Sequence, residues 1–162
     1  MRRLVLMRHA KSDWSLQAPD HDRPLNARGI RSARALGDWL HAESLIPDAA
    51  LVSTARRTRE TFGLLGLDAP ARFLRALYDA DAEDILDALR GASGSTVLLL
   101  GHNPDIAEAA AWLVDDAPEH DRFADYPTGA TLVADFDVDD WPDLAPGIGR
   151  VVHFVIPADL PR

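Results

Sequence analysis

The stretch LVLMRH at residues 4–9 decides the fold, because four consecutive apolar residues lead directly into Arg8 and His9. A short apolar run of this kind is typical of a strand that is buried on both faces of a parallel sheet. We therefore expect a central first strand whose carboxyl end presents Arg8 and His9. The run is too short for a signal-peptide core or for a membrane helix, which needs roughly 20 apolar residues.

Beyond this strand, the chain alternates between strand-like and helix-like patterns. The predicted elements are a helix that starts at Asn26, a strand at 50–52, a helix at 58–65, a strand at 72–74, a helix at 82–89, a strand at 96–100, a helix at 106–114, and an antiparallel edge pair at 130–136 and 150–156. This alternation predicts an α/β fold of three layers, with helices on both faces of a mostly parallel central sheet.

The composition limits the kinds of partner. With 17 basic and 26 acidic side chains the formal net charge is −9, which disfavours nonspecific binding to nucleic acid or to an anionic membrane. The absence of cysteine excludes disulfides, thiolate metal sites and a cysteine nucleophile. We find no linker or repeat, and expect one domain over residues 1–162 and a cytoplasmic location.

The first chemically suggestive cluster is RHAKSDWS at residues 8–15. An arginine donates bidentate, charge-assisted hydrogen bonds to phosphoryl oxygens, and a neutral histidine can attack phosphorus and hold the phosphoryl group covalently. The hydroxyl of Ser15 lies close by in sequence, and Trp14 is a candidate wall of the pocket. Alone, the Arg8–His9 pair is as easily explained by two ordinary surface residues.

Two further clusters follow the ends of predicted strands. STARRTRET at residues 53–61 opens a helix, whose free amide groups favour an anion, and it places Arg57 and Thr61 one turn apart. His102 follows the apolar run at residues 96–100. Because ligands bind outside the carboxyl ends of parallel strands, we expect His9, Ser53 and His102 to share one rim of the sheet.

Together these motifs resemble the histidine phosphatase, or phosphoglycerate mutase-like, superfamily and its short SixA-type branch of phosphohistidine phosphatases. Arg8-His9-Ala10 matches the Arg-His-Gly/Ala signature, and the spacing of Ser53, Arg57 and Thr61 matches a second family pattern. His102 corresponds to the second histidine of the family. The segment at residues 22–25, followed by Gly29, is similar to one that is common in the SixA-type branch.

The resemblance implies a set of roles for these residues. His9 would carry a phosphohistidine intermediate, Arg8, Arg57 and His102 would hold the phosphoryl oxygens, and water would complete the cycle without a metal or another cofactor. Ser15 stands where the mutase branch often has asparagine, so we expect a phosphate contact from it. Asp79 is our choice for the acid that protonates the leaving group, with Asp81 and Glu83 as alternatives.

These expectations converge on a metal-independent phosphatase that hydrolyses phosphohistidine on a protein, or a related phosphomonoester, through phospho-His9. Two alternatives stay open: a small-molecule phosphoesterase of the same superfamily, and a noncatalytic module that binds phosphate or phosphoproteins. A metal hydrolase is disfavoured, since neither His9 nor His102 has a histidine or carboxylate at an established ligand spacing. The expected partner is a phosphorylated protein or a small phosphoester.

Overall fold

The computed structural model describes residues 1–161, which form one six-stranded sheet and four α-helices. In chain order these are β1 (Arg2–Arg8), α1 (Ala27–Ala42), β2 (Ala49–Ser53), α2 (Arg56–Leu64), β3 (Ala71–Leu74), α3 (Ala82–Arg90), β4 (Thr96–Gly101), α4 (Asp105–Leu113), β5 (Thr131–Phe136) and β6 (Arg150–Val155). The strand order across the sheet is β3-β2-β4-β1-β5-β6. Every predicted helix and strand is present.

The first strand is central, as the apolar run at its core predicts. It pairs in parallel with β4 on one side and antiparallel with β5 on the other. The strands β3, β2, β4 and β1 run parallel, whereas β5 and β6 form the antiparallel pair that the sequence predicts at the edge.

Helices cover both faces of this sheet. Leu4 and Leu6 of β1 pack in a cluster with α3 and α4, while Val5 and Met7 pack on the opposite face with α1 and α2. All four side chains are fully buried, and each contributes about 1.5–3 kcal/mol relative to an exposed position. The continuous apolar run is therefore explained by burial on two sides, and the three-layer prediction is confirmed.

Two helices begin at side-chain caps that the structure resolves. The side chain of Asn26 accepts a hydrogen bond from the amide of Gly29 at the start of α1, as predicted. At the start of α3, the side chain of Asp81 accepts a hydrogen bond from the amide of Asp84, and the side chain of Asp84 accepts one from the amide of Asp81. Pro104 precedes the first residue of α4.

The topology brings separate motifs to one edge. Because β1, β2 and β4 are parallel and adjacent, their carboxyl ends place His9, Ser53 and His102 side by side. This edge is the one at which ligands bind in sheets of this type. Within residues 1–161, none of the helices combines the length and the apolar character needed to cross a membrane.

Candidate active site

A cavity of about 210 Å³ opens at this edge of the sheet. Four of the predicted site residues line it together: Arg8, His9, Arg57 and His102. We call these four residues the Arg–His cluster. The remaining lining residues are Lys11, Ser12, Trp14, Arg23, Asn103 and Thr128.

His9 is buried and fixed by its own neighbour. Its Nδ1 lies 2.6 Å from the carbonyl oxygen of Ala10. A carbonyl oxygen only accepts hydrogen bonds, so Nδ1 carries the hydrogen and the neutral ring has its lone pair on Nε2. Burial holds the pKa of His9 well below the ordinary imidazole value, and the nearby charges of Arg8 and Arg57 act in the same direction. The ring is therefore neutral and nucleophilic at physiological pH.

His102 lies beside His9, with the two ring centroids 5.2 Å apart. Its Nε2 is 2.8 Å from the hydroxyl oxygen of Ser53, and its Nδ1 is buried without a hydrogen-bond partner. Burial lowers the pKa of His102 to about 3, and the charge of Arg57 adds to this effect. His102 is thus a second neutral imidazole, with one ring nitrogen uncommitted.

The two arginines of the cluster also have uncommitted nitrogens. The Nε atoms of Arg8 and Arg57 are buried and have no hydrogen-bond partner. Burial lowers the pKa of Arg8, and the like charge of Arg57 contributes to the same shift. Two guanidinium groups that repel each other, each with a buried and unmet Nε donor, form a site that suits an anion.

One carboxylate, that of Asp20, binds Arg57 and Arg23 from outside the cavity. Arg57 donates from Nη1 to the Asp20 carbonyl oxygen at 2.7 Å and from Nη2 to its carboxylate at 3.1 Å. Arg23 donates to the other carboxylate oxygen at 2.5 Å, and the hydroxyl of Tyr78 donates to the first at 2.6 Å. The bond from Tyr78, followed by those from the arginines, holds the pKa of Asp20 well below its usual range. Asp20 therefore stays ionised and leaves Nε of Arg57 uncommitted.

Backbone contacts bring the loop after β1 onto α1 and α2. The amide of Ala10 donates to the hydroxyl of Thr61, which donates in turn to the carbonyl oxygen of Arg57. A Cβ at Gly29 would overlap the carbonyl oxygen of Lys11, so only glycine allows α1 to approach so closely. These contacts fix Ala10, and through its carbonyl the ring of His9.

Two predicted residues lie away from the cavity wall. Ser15 is exposed, and its hydroxyl donates to the carboxylate of Asp13 at 2.6 Å. Asp79 is also exposed and has a left-handed backbone, with φ of 55°. Neither residue is among those that line the cavity. Their roles in substrate binding and in proton transfer stay predictions.

A larger cavity of about 380 Å³ lies at the opposite end of the sheet, near the starts of β1 and β4. Its lining includes Arg2, but also Asp140 and Asp143. Asp140 accepts a hydrogen bond from Nη2 of Arg2 at 3.4 Å, while Nε of Arg2 is buried without a hydrogen-bond partner. The smaller cavity is the better anion site, because arginines and a lysine line it and no carboxylate of residues 1–161 does.

Asp105, the first residue of α4, is a buried carboxyl outside both cavities. One of its oxygens has no hydrogen-bond partner. Burial raises the pKa of Asp105 to about 7, and the negative charge of Glu108 adds to the shift. In the part of the chain that the structure describes, no group of three or more His, Asp or Glu side chains could hold a metal ion.

Comparisons with known proteins agree with this geometry. The family model described as "Histidine phosphatase superfamily (branch 1)" matches residues 4–86, a range that contains Arg8, His9 and Arg57. An uncharacterized protein of Mycobacterium tuberculosis is 38% identical over 158 residues, which cover 93% of this chain and 99% of the relative.

Solved structures give the same result. A candidate phosphohistidine phosphatase SixA of Nakamurella multipartitia is 33% identical, covers 96% of each chain and superposes with a TM-score of 0.87. A candidate SixA of Agrobacterium tumefaciens is 26% identical, with a TM-score of 0.76 over 96% of this chain and 98% of that one. The phosphoglycerate mutase-like fold is therefore confirmed, and the chain belongs to the histidine phosphatase superfamily, with a SixA-like structure.

Proposed function

We propose that this phosphatase-family chain hydrolyses phosphohistidine on a protein through a phosphoryl group carried by Nε2 of His9. The observation that carries the proposal is the set of three buried nitrogens without partners, Nε of Arg8, Nε of Arg57 and Nδ1 of His102. All three belong to residues that line the cavity with His9. They are the donors that a phosphoryl group in this cavity would use.

In the first step, Nε2 of His9 attacks phosphorus, a new N–P bond forms, and the bond from phosphorus to the leaving group breaks. The hydrogen on Nδ1, held by the carbonyl of Ala10, keeps the lone pair on Nε2. Arg8 and Arg57 neutralise charge on the phosphoryl oxygens, as donors aimed at developing charge do in general. Water then attacks phosphorus, the bond from phosphorus to Nε2 breaks with its electron pair returning to Nε2, and phosphate leaves with the protons of the water, which restores neutral His9.

His102 acts in this proposal as a neutral donor. The hydroxyl of Ser53 accepts from the amide of Ala55 at 3.3 Å and lies 2.8 Å from Nε2 of His102, to which it donates in this proposal. The hydrogen of the neutral ring is then on Nδ1, where it can be donated to a phosphoryl oxygen. The low pKa of His102, about 3, keeps it in this form over the physiological range.

Phosphohistidine is favoured over an alkyl ester because its leaving group is the better one. Its leaving imidazole needs little help from an acid, and neither Asp79 nor Asp81 nor Glu83 lines the cavity. Asp81 is engaged as the cap of α3, so Asp79 stays our choice for an acid in ester hydrolysis.

Asp79→Asn, which suits the left-handed backbone, should slow the hydrolysis of an alkyl phosphoester more than that of a phosphohistidine peptide. Equal slowing of both would remove Asp79 from this role.

The function is tested by following phosphate release from a phosphohistidine protein and from a small phosphoester, in the presence of a chelator. We compare the wild type with His9→Ala and with His41→Ala, a matched change of an exposed histidine outside the cavity. We expect preferential release from the protein, lowered by more than about 10³-fold in His9→Ala alone.

Each other outcome points to a stated alternative. Release from the small ester alone would indicate a small-molecule phosphoesterase of the same superfamily. Binding of phosphate without turnover of either substrate would indicate a noncatalytic phosphate-binding module. Turnover retained by His9→Ala would contradict the proposed intermediate.

A further inference from the structure

The cavity has one large apolar wall that the phosphoryl chemistry leaves unused. Trp14 lines the cavity together with His9, yet 72% of its surface is exposed. An indole that stays in water forgoes most of the stabilisation that burial would bring. Packing within the fold therefore does not account for its position.

The ring is nevertheless held in place from one side. The guanidinium carbon of Arg23 lies 3.5 Å from the centroid of the Trp14 ring, which is stacking distance. Arg23 is itself buried and donates to the hydroxyl of Ser12 and to the carboxylate of Asp20. Because one face of the indole is covered and most of the residue is exposed, the opposite face is open.

The other lining residues differ in character from Trp14. Besides the two imidazoles, they are arginines, a lysine, and small polar residues. For a group attached to a phosphoryl held by the Arg–His cluster, Trp14 is therefore the one flat apolar surface among the residues that line this cavity of about 210 Å³. A planar aromatic group gains stacking on that surface in addition to apolar burial, whereas a puckered ring of similar size gains apolar burial alone.

We propose that Trp14, stacked on Arg23, is a specificity-determining residue that selects flat aromatic leaving groups, such as the imidazole of phosphohistidine. This inference rests on the proposed function and names the part of the substrate that the cavity recognises beyond phosphate. Aromatic stacking of this kind lowers a dissociation constant by about 2- to 12-fold.

The test measures the dissociation constants of three phosphonates, which carry the same head group and are not hydrolysed. Phenylphosphonate is flat, cyclohexylphosphonate is puckered, and methylphosphonate reports on the phosphoryl site alone. Trp14→Leu should raise the dissociation constant of phenylphosphonate by about 2- to 12-fold and change those of the other two phosphonates less than twofold. Trp14→Phe should restore most of the lost affinity. Trp112→Leu is the matched control, an exposed tryptophan of α4 outside the cavity.

Three results would overturn the inference. Equal weakening of all three phosphonates in Trp14→Leu would show that the ring acts on the phosphoryl site through Arg23. Unchanged binding of phenylphosphonate would show that the ring has no contact with the leaving group. Failure of the wild type to bind any phosphonate would overturn the phosphoryl site as well, whereas discrimination without turnover would overturn only the proposed catalysis.

Discussion

The Arg–His cluster and the segment at residues 12–23 face the same cavity but are built differently. The side chains of the cluster come from strand ends or from the first turn of a helix, and His9, Arg57 and His102 are all buried. The 12–23 segment is a loop with one short 3₁₀ helix, Asp20–Asp22, and it contains the exposed Trp14 and Ser15. The cluster is fixed mainly by strand ends and a helix, whereas the 12–23 segment is fixed by side-chain contacts, including those between Asp20 and Arg57.

This difference separates two tasks. Residues fixed by the sheet can hold unmet donors at a constant geometry, as the three unpartnered nitrogens of Arg8, Arg57 and His102 require. A loop can vary in shape and side chains without disturbing the sheet, and therefore suits selection among leaving groups. We expect changes in the cluster to affect every substrate, and a change of Trp14 in the 12–23 segment to affect some substrates selectively.

The largest contrast is expected between two adjacent arginines of α2. Arg57→Ala should lower kcat/KM by about 10²- to 10³-fold for all substrates, because it removes a buried donor from the phosphoryl site. Arg56→Ala should change it less than twofold, since Arg56 is exposed and pairs with Glu60. Steady-state kinetics of the two variants give the answer. A larger loss in Arg56→Ala would show that the assignment of the phosphate-binding arginine is wrong.

The burial of His102 predicts how stability depends on pH. Between its folded pKa of about 3 and the unfolded value near 6.5, the unfolded chain binds a proton that the folded chain does not. Stability therefore falls as pH drops through this window. Between pH 7 and pH 4.5, the free energy of unfolding of His102→Asn should fall by about 1–3 kcal/mol less than that of the wild type, as measured by denaturant unfolding. Parallel curves for the two proteins would contradict the burial of an uncharged His102.

Asp105 provides a test of opposite sign outside the cavity. Its folded pKa of about 7 lies above the unfolded value near 3.9, so the folded state binds the extra proton between these values. Stability from this group falls as pH rises from about 4 to 7. Asp105→Asn should gain in Tm over the wild type across that window and keep a constant advantage above it. A difference in Tm that does not change with pH would argue against this carboxyl as the titrating group.

The smallest effect is expected in the 12–23 segment, at Ser15. Its hydroxyl is exposed and donates to Asp13 rather than into the cavity. Ser15→Ala should change kcat/KM less than twofold for both a phosphohistidine peptide and a small ester. A tenfold loss would instead place this hydroxyl on the phosphoryl group and bring the loop closer to the cluster than the structure has it.

The same contrast explains what the sequence predicts well. The apolar runs of β1 and β4 mark buried strands, and the parallel topology then places Arg8, His9 and His102 at one edge. The spacing from Ser53 to Arg57 follows from the strand-to-helix turn. Residues of the Arg–His cluster are therefore brought together as the sequence predicts, because periodicity and topology determine their positions.

The loop contacts lie beyond such arguments. The sequence offers Trp14 as a wall of the cavity, but not the stack on Arg23 or the clamp of Asp20 on two arginines. Asp20 and Arg57 are 37 positions apart, and their contact depends on how the loop folds back over α2. No periodic pattern encodes that path.

The central claim is that Nε2 of His9 carries the phosphoryl group, and trapping that group tests it most directly. The protein is mixed with a phosphohistidine peptide, quenched with alkali within the first turnover, digested and analysed by mass spectrometry. We predict an alkali-stable, acid-labile phosphoryl group on the peptide that contains His9, and its absence in His9→Ala. Turnover by the wild type with no phosphorylated His9, or with the phosphoryl group on His102, would contradict the account.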